Sequence, residues 1–205
     1  MKKELSVEQA YELLKKQGVP SHIIKHSETV ALISVFIGYL YYKKTDRHLD
    51  MRLLAVGGLL HDIKKHESLK NGKNHALMGY EFLKKLGFYK EAEIVKFHVY
   101  LKPWFYFCKV KEKEVVYYAD KRVKHEEIVS LEERFKDLKI RYGKNLRIKI
   151  KLKLLEFATV LLEKKIFNEV GEDPDVINRL KEIKEVRSVL EEAVKGSTSC
   201  WRNFF

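Results

Sequence analysis

Apolar residues recur every three or four positions along most of this chain, the period of helices that bury one face. Ser6 is placed to cap a first helix running to about Lys16, with Val7, Ala10, Leu13 and Leu14 on one face; Gly18-Val19-Pro20 ends it. Ser21 then caps a long helix to about Lys44, whose stripe is Ile23, Val30, Ile33, Ile37 and Leu40. A third helix, capped by Thr45 or Asp46, carries Leu49, Leu53, Val56, Leu59 and Leu60 into His61-Asp62. Gly57-Gly58 inside it costs about 1 kcal/mol of helix propensity per glycine, tolerable where another helix must pack closely.

Asn71-Gly72 marks a turn, Asn74 can cap a fourth helix from His75 to Leu86, and Gly87 closes it. A fifth helix places Ile94, His98 and Leu101 on one stripe. From Lys102 to Lys113 the pattern breaks: Pro103 and the aromatic run Trp104, Phe105, Tyr106, Phe107 predict a loop or short hairpin. A sixth helix from about Glu114 puts Val116, Asp120 and Val123 in register. Charged amphipathic segments follow, about Glu126 to Lys139 and Asn145 to Val170, then Gly171, Pro174 and a last helix ending near Lys195. The aromatic tail residues Trp201, Phe204 and Phe205 are expected to dock on the body or on a neighbour. The pattern predicts an all-α bundle with additional C-terminal helices, folded as a single domain over residues 1–205.

Composition agrees: 45% of residues are apolar, with three prolines and ten glycines in 205 residues. The run Val30 to Tyr42, interrupted by Ser34 and Gly38, is short for a bilayer and predicts a buried helix; no membrane association is expected. The opening residues MKKELSVEQAYELL lack the apolar core of a signal peptide. Cys108 and Cys200 form neither a CxxC pair nor a disulfide framework, so a cytoplasmic location is expected. A net charge of +12 favours an anionic partner: a nucleotide, a nucleic acid or a phosphorylated metabolite. A solvated lysine-rich surface accounts for that charge equally well, because the lysines are scattered.

The candidate chemistry lies on the apolar stripes. His26 falls between Ile23 and Val30, His61-Asp62 ends the third helix, and His75, His98 and Asp120 each occupy the inner face of a later one. A lone histidine on such a stripe is more often a satisfied core residue, and His22 is a rival for any role given to His26. Buried ionisable groups need partners or a metal, however, and several helices each aiming one inward imply a common centre. Mixed imidazole and carboxylate donors suit a divalent cation with about four protein ligands; two further histidines could hold a second.

The local texts KHSETVA (His26), LLHDIKK (His61-Asp62) and YYADKRV (Asp120), with SLEERF downstream, resemble the H…HD…D pattern of the HD-domain superfamily of metal-dependent phosphohydrolases. The resemblance spans roughly Pro20 to Arg134. His75 in NHALMGYEFLKKLG and His98 in IVKFH look like the additional histidines of the HDIG group, some of which bind two metals. Lys65 matches the family lysine, while Lys64 stands where that group has glycine. No GYP signature follows, which disfavours a cyclic dinucleotide phosphodiesterase of that type.

The resemblance implies an HD-domain helical bundle with a metal-binding core over about 20–134 and a helical extension over about 135–205. It implies that His26, His61, Asp62 and Asp120 ligate a metal, and that His75 and His98 hold a second one or donate to the substrate phosphate. The cofactor would be a divalent ion (manganese, iron, nickel, cobalt, zinc or magnesium), one or two per chain. Asp62 would serve as ligand and proton acceptor together, and Lys65 would neutralise charge on the phosphoryl oxygens. Lys121 and Arg122 flank Asp120, but adjacent helical residues cannot all face one pocket.

The expected substrate is a phosphorylated small molecule, a nucleotide above all, cleaved as a monoester or a diester. The aromatic run after His98 is placed either to stack a nucleobase or to fill core. His48, His66 and His125 lie in charged stretches and read as surface histidines. Two other readings remain: an HD-fold protein that keeps its metal and senses a nucleotide without turnover, and an RNA-binding helical protein. The last ranks lowest, since no arginine-rich run or RNA-binding motif is present.

Overall fold

The structure, a computed structural model, describes residues 3–100, 108–196 and Trp201. Ten α-helices account for nearly all regular structure in those residues: α1 Val7–Lys16, α2 Ser21–Lys44, α3 Met51–Leu60, α4 Lys65–Asn71, α5 His75–Lys85, α6 Tyr89–Phe97, α7 Glu112–Lys121, α8 Leu131–Tyr142, α9 Leu146–Val170 and α10 Val186–Val194. A two-residue hairpin, β1 Val123–Lys124 with β2 Glu127–Ile128, joins α7 to α8, and a 3-10 segment Pro174–Glu182 precedes α10.

Helix α2 is the axis of the molecule: α3, α7, α9 and α10 all pack on it. Its residues Val30, Ile33, Ile37 and Leu40 are wholly shielded. The sequence expectation that this stretch is too short for a bilayer needs correcting, since α2 is long and apolar enough by length and composition to cross one. Burial decides the matter, with 78% of its most apolar window covered by the protein. It is a core helix.

Two glycines set the crossings that matter for the site. A methyl group on Gly58 would lie 2.5 Å from the Ala31 Cα, so α3 and α2 touch backbone to backbone just before His61. One on Gly79 would lie 2.6 Å from Val95 Cγ1, which brings α5 against α6. The close packing expected of Gly57-Gly58 is therefore found on both sides, because Gly57 faces Ile94 of α6.

The caps explain where prediction and structure part. Ser6 and Asn74 cap their helices as expected, and Asn145 caps α9. Pro20, not Ser21, is the residue before α2. Asp50 caps α3 through the Leu53 amide, so Thr45 and Asp46 are corrected, and Leu49 lies outside the helix. The sixth predicted helix begins two residues early, at Glu112, and ends at Lys121, which leaves Val123 to open the hairpin. Ser130 forms a capping box with Glu133, so the segment expected from Glu126 is hairpin first and helix from Leu131. Helix α4 follows the His61-Asp62 turn directly and was not expected. The expected last helix is divided between the 3-10 segment and α10.

Trp201 docks on α2 as anticipated, stacked on Tyr39 at 5.6 Å and tilted against Phe36 at 5.4 Å. Leu101, the aromatic run 104–107, Cys200, Phe204 and Phe205 lie outside the described residues.

Candidate metal centre

Three helices and two turns deliver six side chains to one buried place. His26 comes from α2, His61 and Asp62 from the turn after α3, His75 from the start of α5, His98 from just past α6, and Asp120 from α7. His26, His61, Asp62, His98 and Asp120 are buried, while His75 is partly open. Two groups of potential ligand atoms each lie within 4.8 Å of one another: His26, His61 and Asp62, and Asp62, His75 and His98. Asp62 belongs to both. Its Oδ2 lies 3.4 Å from His61 Nε2 and 3.8 Å from His26 Nε2, and its Oδ1 lies 3.3 Å from His75 Nε2 and 3.5 Å from His98 Nε2. Asp120 Oδ1 is 3.2 Å from His26 Nε2 and 3.7 Å from His61 Nε2.

The backbone sets the tautomers. His26 Nδ1 contacts the His125 carbonyl at 2.6 Å, His61 Nδ1 that of Gly58 at 2.7 Å, and His98 Nδ1 that of Val95 at 2.6 Å. A carbonyl only accepts, so each Nδ1 must donate, and each neutral ring presents its Nε2 lone pair to the centre. The carboxylates present lone pairs as well. In their neutral forms the three rings aim acceptors at acceptors, a conflict that a proton on His61 relieves when no metal is bound, and His61 Nε2 and Asp62 Oδ1 are buried with no hydrogen-bond partner. Such groups are costly to bury unless a cation sits among them.

The spacing fits a metal ion. Two ligands about 2.1 Å from one ion lie about 3.0 Å apart at a right angle and about 3.4 Å apart in a tetrahedron. The His–Asp contacts and the 3.0 Å between the Nε2 atoms of His75 and His98 are of that order, and every ligand atom in each group lies within 4.8 Å of the others. The donor set fits a divalent cation of borderline or hard character.

Charge at the cluster is uneven. Burial raises the Asp62 and Asp120 carboxyls, yet both stay well below the usual carboxylate range. The charges of His61 and Lys65 hold Asp62 down, and Lys121 with His26 and His61 holds Asp120 down. Burial also works against a charged His61, but Asp62 and Asp120 outweigh it and raise the imidazole to about 9. Burial prevails at His75, lowered to about 4, and at His98, which is also lowered.

The lysines divide their roles. Lys65 Nζ donates to Asp62 Oδ2 at 2.5 Å and faces the adjoining cleft. Lys121 is buried against Asp120 and the His98 carbonyl, behind the cluster. Arg122 turns away, donating to the Tyr118 hydroxyl, Glu163 and the Val129 carbonyl. Lys64, at the position of the group's glycine, points outward to Gln17 and Glu67.

A cleft of about 380 Å³ opens onto His26, Asp62 and Lys65. His22 lines its wall outside the cluster, so His26 occupies the inner place. His48 is exposed and His66 half-buried, away from the cluster. His125 is exposed as expected, yet its carbonyl anchors His26 and its ring borders the cleft. The residues that sequence reasoning missed are Arg134 and Arg141, two helical turns apart on α8, which also border the cleft. SLEERF carried the signal for Arg134; nothing in the pattern pointed to Arg141.

A family model for the HD domain matches residues 23–138, more than half the chain, and the chain belongs to that family. HD-domain proteins are in general metal-dependent hydrolases that bind divalent ions. The chain is similar to an uncharacterised protein of Methanocaldococcus jannaschii, 29% identical over 69% of this chain and 89% of the relative. No solved structure matches it.

Proposed function

We infer that this protein hydrolyses a phosphate ester at the six-residue cluster, with His26, His61, Asp62 and Asp120 holding one divalent ion. One observation carries this reading: a buried set of potential ligand atoms, two of them unpartnered, opens onto a cleft lined by cationic side chains. His75 and His98 share Asp62 as the other half of the site and are suited to a second ion. A bound divalent ion supplies Lewis-acid polarisation of a phosphoryl oxygen and makes water a stronger nucleophile.

The protein's own groups do the rest. Asp62 accepts the proton of the attacking water, since its carboxyl is held ionised at neutral pH. Lys65, kept protonated by Asp62 and Asp120 despite burial, neutralises charge on the phosphoryl oxygens as the bond to water forms and the bond to the leaving oxygen breaks. Residues 20–134 form the metal-binding core in this reading, with the helices of 135–205 as its extension. A nucleotide suits the cleft because Ile23, Leu138 and Tyr142 offer apolar surface beside the cations.

Protein purified without added metal or chelator, wild type and Asp62→Ala together, should be analysed for metals and screened on nucleotides and other phosphate esters. One or two equivalents of metal and turnover in the wild type, both lost in the variant, are expected. Metal without turnover on any ester would favour a nucleotide sensor.

A further inference from the structure

The cleft holds an arrangement that the cleavage chemistry does not use. Arg134 is nine-tenths buried, lines the cleft, and leaves its Nε without a partner. Its Nη1 reaches Asp137 Oδ2 at 3.3 Å, and its Nη2 lies 4.0 Å from Asp120 Oδ1. Arg141, seven residues on and so about 10 Å further along α8, donates from Nε to Asp137 Oδ1 at 2.8 Å. Asp137 therefore fixes both guanidinium groups by binding one with each oxygen.

The opposite wall supports them. His125 has φ +56°, in the left-handed region that non-glycine residues rarely adopt. Its carbonyl is tied to His26 in the cluster, while its Nε2 lies 2.9 Å from Arg141 Nη2. A guanidinium only donates, so that ring nitrogen accepts, and the imidazole braces Arg141. The two arginines share Asp137, and Asp120, which Arg134 also approaches, is matched by Lys121, so one surplus positive charge remains. The acidic residue on the rim, Glu126, is paired with Lys25 at 3.7 Å. Lys65 is matched by Asp62. The surplus charge and the unpartnered N–H thus lie between the cluster and the cleft mouth, where a fork of guanidinium donors suits phosphate oxygens.

We propose that Arg134 and Arg141 bind a second phosphate of the substrate, distinct from the one cleaved at the cluster, so that the preferred substrate is a small molecule carrying two phosphates. This rests on the cluster being the site of cleavage. Asp137 and His125 act as positioning residues for the arginines.

Binding decides it, because affinity is read without turnover. Calorimetric titration of the manganese-loaded protein with AMP, ADP and adenosine 3′,5′-bisphosphate should show at least one doubly phosphorylated ligand binding about tenfold tighter than AMP. Arg141→Gln should weaken that ligand about tenfold and AMP less than threefold, with metal content unchanged. Arg141 is partly exposed, so the variant should fold; Arg134→Lys, which keeps the charge and loses the fork, should narrow the gap in the same direction. Equal affinities in the wild type, or a gap that survives both variants, would overturn the proposal. An affinity gap in a protein that cleaves no ester would leave the second-phosphate subsite standing and remove the hydrolase reading.

Discussion

The two faces of α7 carry buried polar groups of opposite kind. Toward α9, Tyr118 donates to Glu163 at 2.5 Å, Arg122 donates to Tyr118 and Glu163, and Tyr117 pairs with Thr159 at 2.9 Å. Every group named there has its partner within the protein, and the network ties α7 to α9. Toward α2 and α3, Asp120 joins a cluster in which His61 Nε2 and Asp62 Oδ1 have none. A closed polar network holds a fold together, whereas one left open at a single point calls for a ligand.

The sharpest way to break that comparison is Asp62→Ala. It removes the carboxylate shared by both halves of the cluster, so turnover should fall by about a thousandfold or more and bound metal should disappear. Metal content should be read per folded chain, because the variant also leaves Lys65 and His61 without their carboxylate and so costs stability. A variant that kept its metal and its activity would mean the open network is only structural.

Arg122→Met tests the other face. Removing one partner of a buried ion pair costs about 3 kcal/mol, so chemical denaturation should show a loss of that order. Metal content per folded chain should not change. If metal were lost at unchanged stability, the two faces would not be separate.

Gly58→Ala probes the crossing that delivers His61. Its methyl group meets the backbone of Ala31, which cannot turn aside, and a cost of about 2 kcal/mol with weaker metal binding is expected. Gly57→Ala meets the side chain of Ile94, which can shift, and should cost less. Equal losses would show that the close approach of α3 to α2 does not position the site.

The smallest effect is one of pH. His61 in the folded, metal-free protein stands at about 9 against an ordinary 6.5, so its charged form adds stability in full below 6.5, and this is lost as pH rises through about 9. A metal ion must displace that proton. Apparent affinity should therefore rise by about tenfold per pH unit between pH 6 and 8, with close to one proton released. His75, lowered to about 4, releases none in this range. Burial keeps Tyr118 protonated well above its ordinary value, so the α9 face should not respond. A flat zinc-binding profile would mean that His61 carries no proton before metal binds.

Much of this was legible in the residues. The stripe of α2, the caps at Ser6 and Asn74, and the inward histidines and acids are local or periodic features, and periodicity survives whatever the chain later packs against. Cap choice was less legible where several candidates stood close together: Asp50 prevails over Thr45 and Asp46 because it is the one whose side chain meets the Leu53 amide. Arg141 could not be found, since its contacts, Asp137 apart, come from a hairpin residue sixteen positions away.

By itself the sequence determined the helical class, the buried character of α2 and the six side chains of the cluster, because burial of polar groups on apolar stripes is written in spacing. Tertiary structure alone decided that Asp62 faces both halves of the cluster, that Lys65 fronts the cleft while Lys121 stands behind it, and that Arg122 turns away. The first of those outcomes depends on how closely α3 meets α2 and α5 meets α6. Two glycines permit that approach, but only the assembled helices reveal what it brings together.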